Sequence, residues 1–209
     1  PYQARSDEAV RRVGAPGKIQ GTPSDRQAAF KEMIAAMDNG IGVIRQKLQE
    51  LEIEDETLVF FCSDNGPAGP GSAGRLRGRK GSLYEGGHRV PAIASWPGRI
   101  APGTTTDQPA MTMDLFPTMV SLAGGTLSET FGLDGVDLSP VLDSGTLRAP
   151  RALFWSHKKQ GAMREGPWKL VNGELYNLDS DFEEKTDLAE SEKTRFAEMS
   201  LQYEEWYSG

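Results

Sequence analysis

The chain contains 209 residues, enough for one large domain or two small ones with a sizeable core, so a peptide-sized or disulfide-scaffold protein is excluded. Its longest purely apolar stretch, Leu58 to Cys62, is far shorter than the ~20 residues of a membrane-spanning helix, and we expect a soluble chain with no membrane partner. The formal net charge of −7 belongs to the C-terminal end, where residues 174–209 hold 11 acidic and three basic side chains.

The first predicted element is a long helix that follows a polar lead-in loop over residues 1–22. Pro23-Ser24-Asp25 offers an N-cap, and apolar residues then recur at three- and four-residue steps, which predicts a helix from about 25 to 52 with one buried face. Because the chain begins at Pro1 and no leader segment precedes the folded region, we expect a processed product or a piece of a longer protein. The apolar positions are Phe30, Met33, Ile34, Met37, Ile41, Ile44, Leu48 and Leu51.

A buried strand and a second helix are predicted next. The continuous β-prone run over residues 57–62 is typical of a strand buried on both faces. Residues 90–96 predict a further strand, and a helix begins at Thr112 or Asp114 and ends before Gly124-Gly125. We therefore expect residues 23–150 to form part of an α/β core with a mostly parallel sheet flanked by helices.

The pattern changes after Pro150. Short β-prone segments at 152–156, 162–164, 168–171 and 174–178 are separated by glycine, asparagine and proline, which predicts successive hairpins. Residues 191–207 predict a terminal amphipathic helix. The expected second part, residues 151–209, is a small antiparallel sheet with a C-terminal helix.

Two segments carry residues suited to chemistry. Asp64 and Asn65 follow the first predicted strand, and a carboxylate beside a carboxamide supplies the oxygen ligands that Ca²⁺ or Mg²⁺ prefers, although on these residues alone an ordinary turn is the competing interpretation. Residues 75–89 hold five Lys and Arg against one acid, Glu85, and this local positive charge attracts anions. Because the only aromatic residue there is Tyr84, a small anion fits better than nucleic acid, and no nucleic-acid partner is expected.

These segments together resemble the type I sulfatases of the alkaline phosphatase superfamily. The resemblance covers nearly all of residues 23–180, and its combination of motifs is far more specific than any one of them. It implies the α/β fold of that superfamily, with this chain corresponding to its C-terminal part. The matching segments are Phe60 to Gly66, Leu76 to Pro91, Trp96 to Gly98, Met113 to Thr118, Leu133 to Leu138 and Trp168 to Leu170.

The resemblance also implies roles for individual residues. Asp64 and Asn65 correspond to ligands of the divalent metal, usually calcium. Lys80 corresponds to the lysine that contacts the sulfate and assists the leaving oxygen, and Arg79 and His88 become candidate substrate-binding residues. Arg77 and Arg79 are expected to tune the field around the sulfate, and Arg89 to pair internally with Glu85, from their places in the basic segment. For His88 a structural role or a place at the rim of the site is the competing interpretation, because the family motif accepts aliphatic residues at that position.

One part of the family's site is missing. Its nucleophile is a Cys or Ser in C/S-x-P-S-R that becomes formylglycine, and Cys62 lacks both the proline at +2 and the arginine at +4. We expect the nucleophile in an upstream part of the same protein, which would be a partner of this chain, and we expect the chain alone to be inactive.

The expected activity is hydrolysis of aryl or carbohydrate sulfate esters by the parent protein. A phosphodiesterase or phosphonate hydrolase of the same superfamily is the nearest alternative, and a noncatalytic binding or assembly module is the alternative from another class. The resemblance suggests a secreted, periplasmic or lysosomal-type compartment, which the residues themselves do not reveal.

Overall fold

The computed structural model describes residues 23–128, 131–147 and 149–209, so the lead-in loop predicted for residues 1–22 lies outside the described residues. Helix α1, Pro23–Glu50, confirms the long helix within two residues at each end. Its predicted apolar face is only partly covered, because Ala29 is buried while Ile34 and Ile44 are 45% and 58% exposed. A periodic pattern shows which residues share a helix face, but whether that face is covered depends on the layer packed against it.

The next two strands form a two-stranded antiparallel sheet. Strand β1, Val59–Cys62, pairs with β2, Ala92–Ser95, in the register that places Val59 opposite Ser95 and Cys62 opposite Ala92. The mostly parallel sheet expected for this region is not found, since every strand pairing among the described residues is antiparallel. Strand β1 is half-buried along its length rather than buried on both faces. A continuous apolar run indicates burial but carries no information on the direction of the neighbouring strand.

Among the described residues, three shorter α-helices lie between β1 and the C-terminal sheet. Helix α2, Glu85–His88, precedes β2, and helix α3, Leu115–Leu122, continues a 3₁₀ turn over Thr112–Asp114 and ends before Gly124, as the sequence predicts. Helix α4, Ser139–Ser144, follows. Helices α2 and α4 were not predicted because elements of four and six residues are too short to show periodicity. No helix in the described ranges is long and apolar enough to cross a bilayer.

A buried carboxylate joins α3 to the start of the C-terminal sheet. Asp114 is fully buried and accepts hydrogen bonds from the backbone N–H groups of Met111 at 2.6 Å and Val136 at 3.0 Å. The two terminal nitrogens of Arg151 bond its two oxygens, with Nη1 2.7 Å from Oδ1. Every lone pair that burial removes from water therefore has a donor, which is the condition for a stable buried charge.

The C-terminal sheet confirms the predicted hairpins. Its strands are β3 (Ala152–His157), β4 (Gln160–Glu165), β5 (Trp168–Val171) and β6 (Glu174–Asn177), paired antiparallel in chain order. Helix α5, Lys193–Ser208, is the predicted terminal helix, and its Met199 is buried against one face of the sheet. The opposite face packs against residues 83–84 of the first part. The two resulting core clusters are Met163, Leu170, Leu175 and Met199, and Leu83, Ala162, Val171, Tyr176 and Leu178.

Candidate functional site

The SDNG loop, residues 63–66, follows directly after β1. The backbone N–H of Ser63 donates to the carbonyl of Pro91 at 3.3 Å and so continues the strand pairing by one residue. The Ser63 hydroxyl donates to the Asn65 carbonyl at 2.9 Å, which closes a tight turn and leaves Asp64 exposed and Asn65 half-buried. The segment is a turn, and it presents a carboxylate and a carboxamide at the end of a strand.

The turn packs on helix α2 through backbone alone. The N–H of Gly66 donates to the carbonyl of Gly87 at 2.8 Å, and a Cβ added to Gly66 would lie 2.0 Å from the carbonyl oxygen of Gly86. A Cβ on Gly87 would lie 1.9 Å from the carbonyl oxygen of Ser82. Only glycine permits such close approach, so these residues hold three backbone segments in direct contact.

The lysine loop, residues 77–82, lies beside the SDNG loop. The N–H of Lys80 donates to the carbonyl of Pro67 at 3.2 Å, and the N–H of Gly86 donates to the carbonyl of Arg77 at 2.6 Å. The side chain of Lys80 is exposed. The structure therefore places the loop of Lys80 next to Pro67, the residue that directly follows the loop of Asp64 and Asn65.

The arginines of the lysine loop have structural partners. The Nη2 of Arg79 donates to the carbonyls of Gly69 at 2.7 Å and Gly71 at 2.8 Å, and thereby holds the glycine-rich loop that follows the SDNG loop. Arg79 thus lies next to the candidate site, with part of its guanidinium used on carbonyl oxygens.

Arg77 points to the C-terminal sheet. Its Nη1 donates to the Tyr176 hydroxyl at 2.7 Å and to the Glu184 carbonyl at 2.8 Å, and its guanidinium carbon lies 3.8 Å from the ring centre of Tyr84. We expected Arg77 to tune the field around a sulfate; its contacts instead make it a bridge between the two parts of the chain. Spacing along a loop does not reveal which way a side chain points.

His88 belongs to a buried charge cluster, which we define as Glu85, His88, Lys169 and Glu184. Lys169 is fully buried on β5, and its Nζ lies 2.8 Å from Glu85 Oε1, 2.8 Å from Glu184 Oε1 and 2.9 Å from His88 Nε2. Glu184 Oε2 accepts the backbone N–H of Glu85 at 2.7 Å. Arg89 Nη1 lies 3.5 Å from Glu85 Oε2, which confirms the predicted internal pair.

Burial and charge shift the pKa values of this cluster in different directions. Burial alone would raise the pKa of Glu85, but the hydrogen bond to His88 and the charge of Lys169 lower it well below its ordinary value. Burial raises the pKa of Glu184 in spite of the opposing charge of Lys169. Burial also lowers the pKa of His88, which Glu85 opposes and Lys169 reinforces. His88 is packed edge-on against Trp155, with ring centres 4.5 Å apart, so its surroundings are those of a packed side chain.

Sequence reasoning missed Lys169 and Glu184. A signal for Lys169 does exist, since it lies within the short β-prone run Trp168–Val171, where an internal lysine needs a buried acid as partner. Glu184 lies in the acidic C-terminal end, residues 174–209, and it takes a left-handed backbone conformation with φ of 55°. Nothing in its local sequence distinguishes it from the exposed acids around it.

The metal donors of this chain are few. Asp64 and Asn65 together supply two kinds of hard oxygen ligand, which suits Ca²⁺ or Mg²⁺ but is far short of the six to eight ligands that calcium takes. Among the described residues no group of three or more His, Cys, Asp and Glu side chains could hold a metal ion. The donor chemistry of the pair fits a divalent cation, but the two side chains alone could supply only part of its coordination.

Comparison with known proteins places this arrangement in a family. The sequence model of the sulfatase family matches residues 2–125, more than half of the chain. The chain belongs to the sulfatase family. Among curated relatives, this sulfatase chain is 45% identical to arylsulfatase A of Bos taurus over 127 residues, 58% of the chain and 24% of the relative. It is 40% identical to steryl-sulfatase of Mus musculus over 139 residues, 62% of the chain and 22% of the relative.

Solved structures match almost the whole sulfatase chain. The crystal structure of Ps i-CgsB superimposes with a TM-score of 0.81 and 29% identity over 99% of this chain and 47% of that one. Ps i-CgsB in complex with k-i-k-neocarrahexaose gives a TM-score of 0.80 and 30% identity, with the same coverage. The chain thus spans about a quarter of the length of the curated relatives and about half of these structures, and it corresponds to the C-terminal portion of the family.

Proposed function

We propose that the protein to which this chain belongs hydrolyses sulfate esters, and that the chain supplies one side of the active site. The observation that carries the proposal is the placement of the SDNG loop beside the lysine loop in a chain of the sulfatase family: Gly66 bonds Gly87 of helix α2, and Lys80 bonds Pro67, the residue that follows the SDNG loop. The contact brings metal-type oxygen donors and a free cationic side chain to the same loop cluster. Aryl or carbohydrate sulfate esters are the proposed substrates.

Lys80 is the proposed donor to the leaving oxygen. When the S–O bond of a sulfate ester breaks, negative charge develops on the alcohol oxygen, and a nearby ammonium both attracts that charge and can deliver a proton. At ~4 Å and an effective dielectric of 20, the attraction is about 4 kcal/mol. Lys80 is exposed, and none of the described carboxylates lies in ion-pair range of its ammonium group.

Asp64 and Asn65 are the proposed metal ligands of this chain. A bound divalent cation, most simply Ca²⁺ with Mg²⁺ as the alternative, would neutralise charge on the sulfate oxygens. The chain's own contribution is to fix the two donors, because the Ser63 hydrogen bond closes the turn and Gly66 anchors it on α2. The formylglycine nucleophile is proposed to come from the upstream part of the protein.

That upstream part is also the proposed partner of the exposed apolar surface. On α1, Val43 and Ile44 are 67% and 58% exposed, Leu51 just after α1 is 57% exposed, and on α3 Phe116 is 55% exposed. So much uncovered apolar surface on two elements marks an interface. The rest of a sulfatase domain, which the relatives possess and this chain does not span, would cover it. A secreted, periplasmic or lysosomal compartment remains a prediction from the family.

The proposal is tested with the full-length protein on 4-nitrophenyl sulfate and 4-nitrophenyl phosphate. We expect turnover of the sulfate that exceeds turnover of the phosphate and is lost on treatment with a chelator. The 209-residue chain alone should not turn over either ester. Greater activity on the phosphate would favour the phosphoryl-transfer alternative, and no activity of the full-length protein on any sulfate ester would favour a noncatalytic module.

A further inference from the structure

The turn between β3 and β4 is fastened to the lysine loop by one side chain. Gln160, the first residue of β4, donates from Nε2 to the carbonyl of Gly81 at 2.9 Å and accepts at Oε1 from the N–H of Leu83 at 3.3 Å. Gly81 is the residue after Lys80. A single bidentate amide therefore fixes the end of the C-terminal sheet beside the loop of Lys80.

The fastened turn carries concentrated positive charge. His157, Lys158 and Lys159 are all exposed, and His157 lies directly opposite Gln160 in the strand register. Lys158 takes a left-handed backbone conformation with φ of 57°, which glycine or asparagine adopts at lower cost. The position would favour a small residue on backbone grounds alone, yet a lysine occupies it.

These lysines have no acidic partners within the part of the chain that the structure describes. Two other exposed lysines differ, since Lys185 lies 2.5 Å from Glu183 and Lys193 lies 3.2 Å from Glu190. The charges of Lys158 and Lys159 are thus free to act on a ligand. Lys158 and Lys159 immediately precede Gln160, whose amide bonds the carbonyl of Gly81, and consecutive Cα atoms are ~3.8 Å apart, so both lysines lie in a turn adjacent to the lysine loop.

We propose that Lys158 and Lys159 form a second anion-binding element of the substrate site, which takes a further anionic group of a sulfated oligosaccharide whose reacting sulfate lies at Lys80. The inference rests on the proposed function and adds the substrate class, a polyanionic saccharide rather than a singly charged aryl or steroid sulfate. The second anion is a sulfate ester or a uronate carboxylate. Two exposed ion pairs change an affinity by roughly 2- to 30-fold in total, and salt screens them.

The test compares disaccharides that carry one sulfate, two sulfates, or one sulfate and one uronate carboxylate. The full-length protein should show a higher kcat/KM on the doubly charged sugars than on the singly charged one. In the double variant Lys158→Gln/Lys159→Gln this preference should fall by about 5-fold, through KM, and the fall should shrink at 0.5 M salt. The doubly charged sugar whose kcat/KM falls more in this variant identifies the chemistry of the second anion.

Two further variants make the result specific. The double variant Lys185→Gln/Lys193→Gln removes the same charge from surface lysines that are already paired, and it should leave the preference unchanged. Gln160→Ala keeps both lysines but releases the turn, and it should lower the preference as well. An unchanged preference in Lys158→Gln/Lys159→Gln, or an equal fall in the Lys185→Gln/Lys193→Gln control, would overturn the inference.

A binding measurement separates this inference from the proposed function. Calorimetric titration of the 209-residue chain with the disulfated and monosulfated disaccharides should show tighter binding of the disulfated sugar, dependent on Lys158 and Lys159. If the full-length protein hydrolyses no sulfate ester while this preference remains, the proposed function fails and the anion-binding element stands. If hydrolysis occurs but neither measurement depends on the two lysines, the anion-binding element is refuted and the proposed function stands.

Discussion

Lys169→Met tests whether the buried charge cluster stabilises the protein through its single internal cation. Methionine fills a similar apolar volume, but it leaves Glu85 and Glu184, each at most 2% exposed, without the ammonium that lies 2.8 Å from both. The Coulomb attraction in each of the two contacts is about 6 kcal/mol at an effective dielectric of 20, and the cost of removing the three ions from water offsets most of this attraction. Removal of one partner from a buried pair costs about 3–5 kcal/mol, which is the loss we expect.

The loss should depend on pH. In the wild type, the lowered pKa of Glu85 contributes stability above its ordinary value of 4.5, and this contribution is lost as the pH falls below that value. In Lys169→Met, Glu184 loses the ammonium at 2.8 Å, and Glu85 keeps only the more distant guanidinium groups of Arg89 at 3.5 Å and Arg164 at 3.8 Å. The pKa values of both carboxylates therefore rise, and the folded state takes up protons as the pH falls toward 4.5. The difference in stability between variant and wild type should therefore shrink from pH 7.5 to pH 5.

Urea denaturation followed by tryptophan fluorescence measures these differences. Lys185→Met is the matched control, because Lys185 is exposed and pairs with Glu183 at the surface, where a pair contributes about 0–1 kcal/mol. Combining Lys169→Met with Glu184→Gln should recover part of the loss, since one uncompensated charge is removed. The buried-charge reasoning is refuted if Lys169→Met lowers the free energy of unfolding no more than Lys185→Met does. It is also refuted if Lys169→Met lowers that free energy equally at both pH values.

Three further predictions concern the loops of the candidate site. In the full-length protein, Lys80→Ala should lower kcat by roughly 10²–10³ on alkyl sulfates and less on nitrophenyl sulfate, which needs little protonation of its leaving oxygen; equal losses would leave Lys80 as a binding charge only. Asp64→Ala should weaken calcium binding, measured by calorimetry, and turnover together, and full retention of both would make Asp64 a turn residue only. Gly87→Ala should destabilise the chain by about 3 kcal/mol in thermal unfolding, because its Cβ would lie 1.9 Å from the carbonyl oxygen of Ser82. Gly40→Ala is the control: nothing lies within 4 Å of its Cβ, so it should stabilise α1 by up to ~1 kcal/mol.

The elements that the sequence predicts well are those whose pattern is local. Helix α1 and the hairpins after Pro150 follow from apolar spacing and turn residues within windows of a few residues. The direction of β1 relative to β2 does not follow from a local pattern. It depends on the path of the connection of about 30 residues between the two strands. Local patterns therefore locate elements but do not orient them.

The residues of the candidate site also differ in how well the sequence predicts their roles. Asp64, Asn65 and Lys80 are marked by motifs, and the structure places their loops next to each other, while their roles stay predictions. Arg77 could not be assigned from its place in the basic segment, since its partners Tyr176 and Glu184 lie about 100 residues further along the chain. Charged residues whose partners are distant in sequence are the ones that sequence reasoning places least well.

The buried ion pair between Asp114 and Arg151 bears on how new sulfatase specificities could be built. Arg151 directly precedes the first strand of the C-terminal sheet, and its position after a proline makes it an obvious point for recombining the halves of two relatives. A chimaera joined there would place residue 151 of one parent against residue 114 of the other. If either parent lacked its member of the pair, the fully buried charge of the remaining member would have no ionic partner. The crossover is safe only when the acid and its arginine are inherited together, so the unit that can be exchanged is wider than the sheet itself.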